Sequence, residues 1–132
     1  MIVDSSAIIA ILRDEPERST FETILDAAKS LQISAATYLE LAIVIDSRRD
    51  PAISREIDDF LDRFDIQIEP VTADQARIAR QAYRDYGKGS GHPANLNFGD
   101  CFSYALAQEK REPILYKGDD FVHTNLRSAL NS

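Results

Sequence analysis

The sequence predicts an α/β fold: a three-layer α/β/α domain whose short parallel sheet, of about four to five strands, is flanked by helices. Three observations carry this. Apolar runs of strand length recur near 1–3, 31–35, 66–71 and 113–116. Between them lie stretches whose apolar residues return at helical spacing. No repeat, low-complexity run or linker divides the 132 residues, so the chain reads as one domain over 1–132.

The first strand ends at Asp4, which is followed by Ser5, Ser6 and an apolar helix through Leu12. Pro16, behind Asp14 and Glu15, suits the first position of a second helix, whose core stripe is Phe21, Ile24, Leu25 and Ala28. After the second strand, Thr37-Tyr38-Leu39-Glu40 opens a helix reaching about Arg49. Asp50-Pro51 restarts the chain as cap and first turn, with Ile53, Ile57, Phe60, Leu61 and Phe64 as the buried face. Ile66, Ile68 and Val71 alternate with Gln67 and Glu69 as a third strand. Thr72 and Gln75 match a capping box, beginning a helix with core residues Ala76, Ala79, Tyr83 and Tyr86. A long irregular stretch, 87–99, leads into a helix over 100–109 that is apolar on most faces. Pro113 to Tyr116 is the fourth strand, and Lys117 to Phe121 turn towards a short C-terminal helix.

Composition narrows the function. Hydrophobic residues make up 44% and charged residues 28%, as in ordinary globular proteins. No apolar run approaches the ~20 residues of a membrane span, and the start lacks a basic, cleavable signal pattern. A lone cysteine, Cys101, fits a reducing cytoplasm. A net charge of −7 argues against nonspecific nucleic-acid binding by overall charge, so any such substrate must meet a local basic surface.

Right-handed crossovers bring helix N-termini to the edge where parallel strands end. Asp4, Glu40, Asp100 and Asp119 all map to that edge, which open α/β sheets use for ligands. Each has a plainer role available. Glu40 completes a capping box with Thr37, Asp100 after Gly99 suits an N-cap, and Asp119 and Asp120 suit a turn. Asp4 is hardest to explain that way, because it interrupts a strand that is otherwise buried. Gathered together, such carboxylates repel unless protonated or bridged by a cation. Oxygen ligands favour Mg²⁺ or Mn²⁺, which suits phosphodiester hydrolysis.

Other chemistries are weaker. His92 and His123 lack partners at zinc-ligand spacing, and Cys101 lies in an apolar run as a packed thiol. The glycines of 87–91 match neither phosphate-binding fingerprint. Arg77, Arg80, Arg84 and Lys88 form a stripe opposite the apolar face of their helix, either a solvated face or a track for an RNA backbone.

Four motifs in order, Met-Ile-Val-Asp-Ser-Ser-Ala at the start, Thr-Tyr-Leu-Glu at 37–40, Asn-Phe-Gly-Asp-Cys-Phe-Ser-Tyr-Ala-Leu-Ala at 97–107 and Leu-Tyr-Lys-Gly-Asp-Asp-Phe at 115–121, resemble a PIN-domain protein. More narrowly, they resemble a VapC-type toxin of a bacterial type II toxin–antitoxin pair. The resemblance implies an Mg²⁺- or Mn²⁺-dependent endoribonuclease acting on RNA, with tRNA or rRNA as the substrate. Asp4 and Asp100 would hold the metal, Glu40 and Asp119 would support them, and Ser6 would make an outer contact. It also implies a homodimer silenced by a VapB-like antitoxin. Where many relatives read Thr-x-Asp after the last strand, this chain has Lys117-Gly118-Asp119-Asp120. Asp119 is taken as the fourth acid because it comes first, with Asp120 as the alternative. The rival readings are a non-catalytic RNA- or protein-binding module of the same fold and an Mg²⁺-dependent phospho-acceptor domain.

Overall fold

The structure is a computed structural model and describes residues 1–131. The elements run β1 (Ile2–Val3), α1 (Ser5–Leu12), α2 (Arg18–Ala27), β2 (Leu31–Ser34), α3 (Ala35–Asp46), α4 (Pro51–Arg63), β3 (Ile66–Glu69), α5 (Ala73–Tyr86), α6 (Phe98–Lys110) and β4 (Ile114–Leu115), closing on a 3₁₀ turn at Ala129–Asn131.

All strand pairs are parallel, in the order β3-β2-β1-β4. The chain therefore steps outward from β1 through β2 to β3, then returns to lay β4 on the other side of β1. The β1/β4 boundary is the topological switch point, where loops at the carboxyl edge diverge and leave a crevice. Ile2 pairs with Ile114 and Val3 with Leu115, and the Asp4 amide extends the ladder by donating to the Leu115 carbonyl at 2.9 Å.

Alternation along a strand explains how two residues suffice for β1. Val3 packs with Ile8, Phe21, Ile33 and Leu41 on one face of the sheet. Ile2 packs with Leu96, Leu106, Ile114 and Phe121 on the other. A central strand covered on both sides must be apolar at every position, as this one is until Asp4. Edge strand β3 lacks that cover, which leaves Ile68 exposed although its alternation resembles a core strand.

Several boundaries differ from the sequence reading. Pro16 lies in the turn before α2, which starts at Arg18 with Glu17 as its cap. α3 begins three residues earlier than Thr37 would suggest as a cap, because Ser34 accepts the Ala36 amide at 3.3 Å. Thr37 is thus inside the helix, so the Thr37/Glu40 capping box does not form, and α3 ends at Asp46 rather than near Arg49. Asp50 and Pro51 do cap α4. Thr72 caps α5, but the Gln75 side chain bonds Glu109 instead of completing the box. The buried face of α5 is Gln75, Ala79 and Ala82, while Ala76 and Tyr83 are exposed. The expected C-terminal helix is only the 3₁₀ turn.

Leu106 is wholly buried against β1 and β4 on the face behind the crevice. Leu106→Ala is expected to cost about 3 kcal/mol by the usual cavity penalty, read from a denaturant melt. An unchanged midpoint would contradict this packing.

Candidate active site

Asp4 stands at the switch point as the N-cap of α1 and is only 4% exposed. A carboxylate so buried needs donors, and it has three. Its Oδ2 accepts from the Ser6 amide at 3.1 Å and the Ser6 hydroxyl at 2.7 Å, and its Oδ1 accepts from the Ser103 hydroxyl at 2.5 Å. Ser6 Oγ in turn accepts the Lys117 amide at 3.0 Å, tying the end of β4 to the same carboxylate. Ser103, in the middle of α6, also meets the Thr37 hydroxyl at 3.2 Å, and both are buried. A polar chain from α3 through α6 thus fixes the orientation of Asp4.

Asp100 lies in the first turn of α6. Asn97, not Asp100, is the N-cap, and the pair form a capping box with bonds of 2.9 and 3.0 Å. This structural duty occupies one oxygen, Oδ2. Burial raises the Asp100 pKa to about 7, opposed by the Asn97 amide and reinforced by the negative charges of Asp120 and Asp4. Burial likewise raises the Asp120 pKa, although its hydrogen bond with Asp100 pulls the other way. Burial and the Asp4 charge raise Glu40 as well, and its carboxylate lies over the backbone of Gly99 at the start of α6.

The structure therefore brings Asp4, Glu40 and Asp100 of the expected set into one electrostatic cluster. From the β4 turn it contributes Asp120 rather than Asp119. Gly118, with a positive φ of 105°, lies in the turn that carries both acids. Asp119 and Asp120 are both exposed, and Asp119 bears on the cluster through its charge on Asp120. Lys117 points elsewhere, pairing with Glu15 at 2.9 Å and Glu17 at 3.0 Å. Arg77, Arg80, Arg84 and Lys88 are all exposed, and Arg77 is paired with Asp74 at 2.8 Å. Arg80 and Lys88 border a groove of about 580 Å³, lined also by Tyr83, Phe98 and Phe102, that opens beside the start of α6.

The sequence offers Thr37 only as a helix cap and gives Ser103 no role, whereas the structure joins the two hydroxyls behind Asp4. The available signal was a hydroxyl three residues after Asp100 in a helix otherwise apolar at that face. Cys101 is a packed thiol, as expected: it is buried, donates to the Asn97 carbonyl, and burial pushes its pKa up to about 11. His92 caps its own turn by accepting the Ala94 amide.

Among the described residues, no three acidic, histidine or cysteine side chains already converge at ligand distance on one point. The donor set nevertheless suits a hard divalent ion. It offers only carboxylate oxygens; burial raises the pKa of Glu40, Asp100 and Asp120, and the charge of Asp4 adds to each shift, a repulsion that such an ion would relieve.

A parallel sheet with this strand order and acids at its switch point is an α/β architecture compatible with the PIN type, and sequence similarity identifies the family. The PIN domain family matches residues 1–125. The chain belongs to that family, within its VapC branch. It is 57% identical to Ribonuclease VapC28 of Mycobacterium tuberculosis over 99% of this chain and 98% of that protein. It is 53% identical to Ribonuclease VapC42 of the same species over 98% of each. Among solved structures, M. tuberculosis VapC20, described as a sarcin-ricin loop cleaving toxin, superposes with a TM-score of 0.72 at 17% identity over 95% of each chain. FitAcB from Neisseria gonorrhoeae gives 0.71 at 19%, over 96% of this chain and 94% of that one. These two likenesses establish the fold.

The raised acids fix a sign for stability. Folded Asp100 keeps its proton up to about pH 7, whereas the ordinary carboxyl releases it near 3.8. Between those values the folded state binds more protons, so stability falls as pH rises through the window. With chelator present, the melting temperature is expected to drop between about pH 4 and about pH 7, and Asp100→Asn should flatten that slope. A slope unaffected by Asp100→Asn would refute the assignment.

Proposed function

We propose that this chain is an Mg²⁺- or Mn²⁺-dependent endoribonuclease and the toxin of a type II toxin–antitoxin pair, inhibiting translation or growth by cutting RNA. The observation that carries the reading is the crowding of Asp4, Glu40, Asp100 and Asp120 at the switch point, in a chain closely similar to curated ribonucleases. Asp4 and Asp100 are the residues proposed to hold the ion, with Glu40 and Asp120 completing its surroundings. Once bound there, a divalent ion supplies Lewis acidity to a phosphoryl oxygen and lowers the pKa of an attacking water.

The protein's own part is positioning and proton handling. Ser6 and Ser103 hold the Asp4 carboxylate in one orientation. The capping box leaves Asp100 Oδ1 as the oxygen not engaged with Asn97. A ligating carboxyl must be deprotonated, so binding is expected to weaken as pH falls below about 7, where burial favours the protonated form of Asp100. Attack by water at phosphorus with cleavage of the P–O3′ bond, the course the family resemblance implies, would leave a 5′-phosphate and a 3′-hydroxyl.

The RNA is proposed to be tRNA or rRNA, with Arg80, Arg84 and Lys88, and Arg77 once freed from Asp74, as phosphate contacts. A VapB-like antitoxin and a second copy of the chain are the proposed protein partners. In support, Leu39 and Ile43 on α3 and Phe98 on α6 are exposed, Phe98 by 78%, as at protein interfaces. The cytoplasm is the proposed location.

The test incubates purified protein with total tRNA and rRNA, with Mn²⁺ or with chelator. Discrete, metal-dependent fragments are expected, and cutting that persists unchanged in chelator would overturn the proposal. Asp4→Asn and Asp100→Asn should each abolish cleavage in folded protein. Asp120→Asn should impair it more than Asp119→Asn. Ser103→Ala should lower activity by about 10- to 100-fold, the usual effect of removing a group that orients a metal ligand.

A further inference from the structure

We infer that Gly99 is a positioning residue: the missing side chain there is the space that lets the Glu40 carboxylate stand with the other acids. The inference rests on the metal-site reading above and concerns how this chain builds that site.

A Cβ built on Gly99 would lie 2.1 Å from Glu40 Oε2 and 2.6 Å from both Cδ and Oε1. Any side chain at 99 would therefore occupy the volume of the carboxylate itself. Backbone conformation gives no other reason for a glycine. Gly99 is the second residue of α6, and it is absent from the positions with positive φ, which include Gly89, Gly91 and Gly118. Alanine is the better helix former at such a site. The glycine is needed for room, not for flexibility.

The neighbouring contacts show what that room is for. α3 and α6 cross with Thr37 opposite Ser103 and Glu40 opposite Gly99. The first contact holds Asp4 through the Ser103 hydroxyl. The second brings Glu40 to the same edge. Glu40 is exposed and, unlike Asp4 and Asp100, its side chain has no hydrogen-bond partner among the described residues, which leaves its close approach to the Gly99 backbone to place it. The start of α6 also favours a carboxylate through its orphan amides. Because the atoms in the way are the flexible end of Glu40 and not backbone, a methyl group at 99 moves the carboxylate and spares the fold.

A double-mutant cycle separates this role from a structural one. Wild type, Gly99→Ala, Glu40→Ala and the double variant are compared by Mn²⁺ titration calorimetry and by melting temperature in chelator, with a crystal structure of Gly99→Ala. Gly99→Ala is expected to melt no lower than wild type, yet bind Mn²⁺ about 10- to 100-fold more weakly, with Glu40 displaced in the crystal. In the Glu40→Ala background the same substitution should have no further effect on binding. Unchanged Mn²⁺ affinity in Gly99→Ala, an unmoved Glu40, or an equal loss in both backgrounds would each overturn the inference. If wild-type protein itself binds no Mn²⁺, the metal reading fails. The crystal structure then still decides whether the glycine places Glu40, a displaced carboxylate supporting it and an unmoved one refuting it.

Discussion

Mutual repulsion among carboxylates, held in check by fixed donors, is the constraint around which this molecule is arranged. Asp4 is taken out of water at the end of a strand two residues long, where it survives because Ser6 and Ser103 supply three hydrogen bonds. Burial, with nearby negative charge, raises the pKa of both Asp100 and Asp120. Each acid also has a local task, Asp4 as a helix cap and Asp100 in a capping box. The folding chain thus places them through ordinary helix-terminus chemistry before any ligand is involved.

The sheet order turns this local chemistry into a site. β1 lies between β2 and β4, and the chain leaves it in opposite directions, so loops from the start and the end of the sequence part around a crevice. α6 covers the sheet behind that crevice and contributes Asp100, Ser103 and Gly99 within two turns. Ser103 steadies Asp4, while Gly99 leaves space for Glu40. One helix therefore supplies an acid and organises two others from distant parts of the chain. The unfavourable charge is a stability cost located where a cation would remove it, a familiar trade of stability for function.

Much of this was legible in the residues. Strand–helix alternation gave the parallel sheet, and the oddity of an acid in a buried strand singled out Asp4. The approximate positions of Glu40 and Asp100 followed from right-handed crossovers. What failed was local competition between equivalent residues. Ser34 and Thr37 can both cap a helix, and the end of β2 decided for Ser34. Asp119 and Asp120 are adjacent and chemically alike, and of the two it is Asp120 that acts directly on Asp100. On α5, Ala76 and Tyr83 fit a helical stripe as well as Gln75 and Ala82 do, and only the packing of α6 chooses between them. Ser103 and Gly99 owe their roles to atoms on α3, more than fifty residues away.

The most direct measurement is anomalous diffraction from crystals soaked in Mn²⁺ near pH 8. The account requires a manganese peak at the β1/β4 switch point, with Asp4 and Asp100 as ligands and Glu40 and Asp120 turned towards it. Manganese found only elsewhere on the surface, with these four carboxylates unshifted, would contradict it.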